Sequence, residues 1–284
     1  MTFNIKFVRI YLVIKLNKKT KLLLTSVIVI SLLLLIYSIV NIVIWKKDSN
    51  KTNKQIEDIQ EEIKVTEVVD TENTEIIKQE EEIPEFNPYW DYIKMNMLNV
   101  DFSELTKINN NVRGWIQVNG TNINYPFVQA NDNKYYLTHS FDNSWNSAGW
   151  LFLDYRNNYT DNKNTIIYAH GRTDKTMFGS LKKVLSNEWL NNSNNYIIKI
   201  STEKENSLWQ IFSIYHIPTT SDYLETNFSS DTEYLDFLNM LLNRSSYNFN
   251  TSISSNDNIL TLSTCYNNSD KMVVHAKLIK REVK

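Results

Sequence analysis

Residues 258–278 read NILTLSTCYNNSDKMVVHAKL. Apolar and polar residues alternate on both sides of YNNSD, the period-2 pattern of two strands joined by a hairpin loop. On the first strand Leu260 and Leu262 share one face, and Ile259, Thr261, Ser263 and Cys265 share the other. On the second strand Met272, Val274, Ala276 and Leu278 form an apolar face, opposed by Lys271, Val273, His275 and Lys277. If both apolar faces enter one core, Cys265 and Lys271 stand opposite each other on the outer side. Opposed residues have Cβ atoms ~5 Å apart. A cation at that distance favours thiolate, the nucleophilic form of cysteine, and can stabilise an oxyanion.

Cys265 is the single cysteine of the 284-residue chain, so no internal disulfide and no Cys-rich zinc site is available to it. Two readings stand at this point. The thiol is a small buried core residue, or it is a reactive or intermolecularly bonded group. A thiol nucleophile usually needs an acid–base partner. His170 ends the run NTIIYAH and precedes Gly171, at a strand end opening on a glycine turn. His275 shares the face of Lys271 but lies ~13 Å further along at strand rise. Any one histidine is more often structural than catalytic. His139, His170, His216 and His275 show no metal-ligand spacing, and no metal is expected.

Upstream of the hairpin, the short runs GWIQV, INYPFV, WLFLDY, NTIIYAH, YIIKI and SLWQIFSIYHI are separated by Asn, Asp, Ser and Gly clusters. Many short, evenly punctuated strands favour a β-sandwich or barrel. DTEYLDFLNMLLNR at 231–244 carries an apolar stripe of Tyr234, Leu235, Leu238, Leu241 and Leu242, which predicts a helix capped by Asp231. Short helices are also predicted over 87–98 and 101–109, the latter capped by Asp101.

The N-terminal part differs. Residues 22–45, LLLTSVIVISLLLLIYSIVNIVIW, carry no charge, which is enough for a helix to cross a bilayer. The run is too long for the apolar core of a signal peptide. Lys6, Arg9, Lys15, Lys18, Lys19 and Lys21 precede it, and Lys46 and Lys47 follow. The positive-inside rule then puts residues 1–21 in the cytoplasm and the bulk of the chain outside the cell. Residues 46–85 contain an acidic tract without aromatic residues, EDIQEEIKVTEVVDTENTEIIKQEEEIPE, which reads as a solvated stalk or linker. Aromatic residues return from Phe86, where the folded domain at 86–284 is expected to begin. A net charge of −2 gives no reason to expect nucleic acid as a partner.

LSTC after an apolar strand, IIYAH followed by MFGSLKK, and the N-terminal anchor resemble the sortases, class B most closely. WIQVNGTNINYPFVQANDNKYYLTHSF and GWLFLDYRN are similar to the stretches that lead to the histidine in that class. The likeness covers about residues 87–280. It implies a mainly β fold: a closed eight-stranded barrel with N-terminal helices and one helix inserted before the cysteine strand. It also implies a cysteine transpeptidase with no cofactor. Cys265 would attack a carbonyl in a C-terminal sorting signal and form a thioester. His170 would protonate the leaving amine, then help deprotonate an amine acceptor from peptidoglycan or a pilin lysine. Asn133, Leu137 and Ser263 match substrate-contacting positions; plain packing for Leu137 and a turn for Asn133 are the other readings.

One position departs from the family. An arginine is expected before the MVV-like run of the last strand, where it steadies the substrate carbonyl and the oxyanion. Lys271 stands there, keeping the charge and losing the planar donor fork. Three readings stand: Lys271 substitutes for it, Arg172 or Arg156 enters from another loop, or turnover is weak in a domain kept for surface binding. A hydrolytic cysteine peptidase of the same fold is a further alternative.

Overall fold

The computed structural model describes residues 17–77, 88–158 and 162–284. Lys6, Arg9, Lys15, Phe86 and the end of the acidic tract at 78–85 lie outside the described residues. The chain divides into two compact units, Met1–Lys47 and Asp48–Lys284. In the first, helix α1 (Lys18–Glu62) begins. The side chain of Asn17 caps it, accepting from Thr20 N at 2.8 Å. Leu22, Ile30, Leu34 and Ile44 are all exposed. α1 is long and apolar enough to cross a membrane.

The second unit contains the rest of α1 and all that follows. In chain order these are β1 (Val65–Val68), β2 (Thr74–Ile76), α2 (Tyr89–Tyr92), β3 (Met97–Val100), α3 (Ser103–Ile108), β4 (Val112–Val118), β5 (Asn124–Val128), β6 (Phe152–Leu153) and β7 (Asn164–Tyr168). Then come α4 (Asn187–Leu190), β8 (Ile197–Ser201), β9 (Glu205–Pro218), α5 (Asp231–Asn243), β10 (Ile259–Cys265) and β11 (Asp270–Val283). The main sheet runs β10-β7-β6-β5-β4-β8-β9-β11, and β11 pairs back onto β10, so eight strands close a barrel. β2 adds to the far end of the long β11, with Lys280 opposite Ile76.

The barrel interior holds Ile116, Phe127, Ile167, Ile198, Ile211, Leu262 and Val274, all buried. A second apolar layer lies outside the β10–β11 hairpin. There Tyr234, Phe237, Leu238 and Leu241 of α5 pack on Phe212, Tyr215, Ile259 and Val273. This is why α5 is needed: Ile259 and Val273 lie on the outer face of the hairpin, which the barrel interior does not bury.

Four expectations change. The helix over 87–98 is confined to α2, because Met97, Leu98 and Val100 are buried along β3, which pairs with β1. Ser230, not Asp231, caps α5: its side chain accepts from Glu233 N. Phe102 is the cap position of α3, although the Asp101 carboxylate still accepts from Ser103 N at 2.9 Å. The acidic tract departs most from a solvated stalk. Ile56, Ile59 and Ile63 follow helical spacing and face the core, and the strands after them pair with β3 and β11. Lys280 is wholly buried. It donates to Ile93 O at 2.8 Å and Met95 O at 3.1 Å and pairs with Asp70. Residues 48–77 therefore belong to the folded unit.

Candidate active site

The β10–β11 ladder opposes Cys265 to Lys271, and both lie where the outer face of the hairpin emerges from under α5. Lys271 Nζ donates to Cys265 Sγ at 3.3 Å. The thiol is exposed. β7 runs parallel to β10 with Tyr168 opposite Ser263. His170 follows two residues after Tyr168 and lines the same groove as Cys265. Thr264 Oγ1 donates to Ala169 O at 2.7 Å and ties the two strand ends together. The close approach needs Gly171, since a Cβ there would run into Cys265 O.

Cys265, Lys271, His170 and Thr264 line one groove of about 730 Å³, with Asn133, Leu137, Tyr168, Tyr223 and Leu224 on its other walls. His170 Nε2 lies 2.8 Å from Leu137 O, so in this arrangement Nε2 carries the proton and donates. Asn133 Nδ2 donates to Asp154 Oδ2 at 3.0 Å, and its Oδ1 accepts from Tyr155 N. Leu137 is about one-third exposed, at 36%. Ser263 is buried and shares a hydrogen bond of 3.0 Å with Tyr223 OH. The sequence-predicted residues thus converge on one cleft, with Asn133 braced from behind and Ser263 at its floor.

Several groups that shape the groove were not singled out from sequence. Tyr168 could have been: it sits two residues before His170 on the same strand face. Tyr223 and Leu224 come from the loop between β9 and α5, and no local pattern marks them. Asp154, fully buried, receives Tyr168 OH at 2.8 Å and both Nε and Nη2 of Arg156. Burial pushes its carboxyl up, but the hydrogen bonds from Arg156 and Tyr168 outweigh that and hold it below the usual carboxylate range. Arg156 also donates to Leu224 O at 2.9 Å, joining two walls of the groove.

Neither Arg156 nor Arg172 lines the groove. The Arg172 guanidinium is engaged with Asp174 at 2.8 Å and with Thr176. His275 lies under α5, fully buried between Tyr215 OH at 2.8 Å and Thr261 Oγ1 at 2.9 Å. His139 stacks on Tyr135, and His216 stacks on Tyr266. Among the described residues, no group of three His, Cys, Asp or Glu side chains converges as a metal site.

A family model described as the sortase domain matches residues 116–279, more than half of the chain. The chain belongs to the sortase family. It is 36% identical over 190 residues to sortase B of Listeria monocytogenes, covering 64% of this chain and 75% of that protein. Sortase B of Staphylococcus aureus is 36% identical over 184 residues, covering 63% and 75%. Among solved structures, sortase B from B. anthracis in complex with AAEK1 is 34% identical, with a TM-score of 0.65, covering 82% of this chain and 99% of that one. The closed barrel and the class B likeness therefore agree, and sortase membership implies a cysteine transpeptidase acting on sorting signals and amine acceptors.

Proposed function

We propose that this sortase is held at the cell membrane by α1 and joins secreted surface proteins to an amine through Cys265. The Cys265 thiolate attacks the carbonyl carbon of a sorting-signal residue, usually threonine. The C–N bond breaks, His170 gives its proton to the leaving amine, and a thioester remains on sulfur. An incoming amine from a peptidoglycan cross-bridge or a pilin lysine then loses a proton to His170. It attacks the thioester carbonyl, the C–S bond breaks, and the Cys265 thiolate is released with His170 protonated again. Lys271 supplies the cation beside the developing oxyanion. Asn133, Leu137 and Ser263 help to form the walls that hold the peptide.

The observation that carries this reading is the meeting of three groups in one groove: the exposed Cys265 thiol, Lys271 Nζ 3.3 Å from it, and His170 on the adjoining strand end. The engagement of Arg156 and Arg172 elsewhere supports Lys271 as the cation of the site. The basic residues before the apolar run support a cytoplasmic N-terminus, which protease accessibility on intact cells tests.

A peptide-library cleavage assay with an amine acceptor, read by intact-protein mass, tests the chemistry. The wild type is expected to form a thioester that the amine resolves, and Cys265→Ala to form none. Lys271→Ala is expected to lose about a hundredfold in turnover, the usual effect of removing one oxyanion donor. Lys271→Arg is expected to retain or raise the rate. An alanine variant at wild-type rate removes Lys271 from the mechanism. Hydrolysis that no acceptor diverts favours the peptidase reading instead.

A further inference from the structure

We propose that the helical turn Asp48–Thr52 is a positioning element for His170, clamping the two loops that hold the histidine; this rests on the functional reading above. His170 has no rigid strand after it. Its carbonyl accepts from Phe178 N at 3.1 Å, across the loop 171–177. Its ring donates to Leu137 O, at the end of a single 3-10 turn in the strand-free segment 134–149. Irregular exposed loops of this kind open locally at low free energy unless something outside them holds them.

The turn Asp48–Thr52 reaches both loops. Ser49 Oγ donates to Asp174 Oδ2 at 2.5 Å. Asp174 is the hub of the first loop: it pairs with Arg172 at 2.8 Å and accepts from Thr176 N at 3.1 Å and Thr176 Oγ1 at 2.6 Å. Burial raises its carboxyl pKa, but the hydrogen bonds from Arg172, Ser49 and Thr176 prevail and bring it down to about 2. Three residues away on the same helix, Thr52 Oγ1 accepts from Asn146 Nδ2 at 3.0 Å. The Asp48 carboxylate accepts from Ser147 N at 3.2 Å and Ser147 Oγ at 2.5 Å. Asp48, Ser49 and Thr52 are all buried, which is unusual for polar residues on a helix and marks them as docked.

The first loop also needs outside support because its backbone is unfavourable. Lys175 and Met177 lie in the left-handed region, with φ of 65° and 52°. Non-glycine residues persist there only when their surroundings over-determine them. Tyr125 OH donates to Met177 O from within the barrel, and Ser49 holds Asp174 from the helix side. A displacement of about 1 Å in a reacting group can cost about a hundredfold in rate, so loosening either loop should reach the chemistry.

The test uses the full chain in detergent micelles. Hydrogen exchange and peptide turnover are measured for wild type, Ser49→Ala, Ser49→Thr, the double variant Asp48→Ala with Thr52→Val, and the exposed control Lys54→Ala. Ser49→Ala is expected to speed exchange over 171–178 about tenfold, and the double variant over 134–149, with β10–β11 unchanged. Turnover number is expected to fall about tenfold with KM for the sorting peptide within twofold. Ser49→Thr is expected to restore both readouts, and Lys54→Ala to match wild type. Exchange at the wild-type rate in both loops overturns the proposal, as does faster exchange with unchanged turnover. If the wild type itself turns over no peptide, the functional reading falls. The exchange measurement then decides by itself whether the turn clamps the loops.

Discussion

At the scale of single residues, the groove depends on small groups that allow two strand ends to meet. Gly171 is the sharpest case, because its missing Cβ leaves room for Cys265 O. Gly171→Ala must push apart the ends of β7 and β10, and with them His170 and Cys265. We expect turnover to fall at least a hundredfold, while the melting temperature changes little because the barrel interior lies elsewhere. Alkylation of Cys265 by iodoacetamide should persist, which separates a misplaced histidine from a lost thiol. Turnover within threefold of wild type would show that the two strand ends need not approach. An ammonium in the place of a guanidinium keeps a point charge but has no planar fork, so the Lys271→Arg comparison measures what geometry adds to charge.

At the scale of elements, the β10–β11 hairpin is sandwiched between the barrel interior and α5, and His275 is enclosed on the α5 side. Burial, reinforced by the positive charge of Arg244, pushes its pKa from 6.5 down to about 3. The folded protein therefore keeps the imidazole neutral where the unfolded chain takes up a proton. The stabilisation is full above about pH 6.5 and declines as the pH falls from there toward 3. Between pH 7 and 5 the loss should amount to about 2 kcal/mol. Urea unfolding midpoints across that range check this. His275→Asn, which cannot titrate, is expected to start less stable and to give a flatter profile. A parallel slope in both proteins would mean that another group drives the acid sensitivity.

At the scale of the whole folded unit, the N-terminal tract contributes structure that its composition hides. Ile59 and Ile63 enter the core, β1 pairs with β3, β2 pairs with β11, and Lys280 is enclosed beside Asp70. A protein comprising Asp48–Lys284 should match the full chain in unfolding midpoint. One beginning at residue 86 loses these contacts and leaves the buried Lys280 ammonium without its carboxylate. Breaking a buried pair typically costs about 3–5 kcal/mol; with Asp70 itself half-exposed, the lower end is expected. Equal midpoints for the two proteins would show that residues 48–77 rest on the barrel without supporting it.

How much of this was legible in the sequence follows from the range of each interaction. Alternation alone determined the strand pattern, the two faces of the last hairpin and the pairing of Cys265 with Lys271, because neighbours across a tight hairpin are fixed by local register. The absence of charge over residues 22–45 determined a helix able to span a bilayer. Only the tertiary structure decided that the acidic tract docks, that Tyr223 and Asp154 shape the groove, and that Asp48–Thr52 reaches the loops around His170. These contacts join residues far apart in the chain, and their hydrogen bonds form only once packing excludes water. Polar residues such as Ser49 and Asp174 look the same in a solvated stalk as in a buried clamp until the fold brings them together.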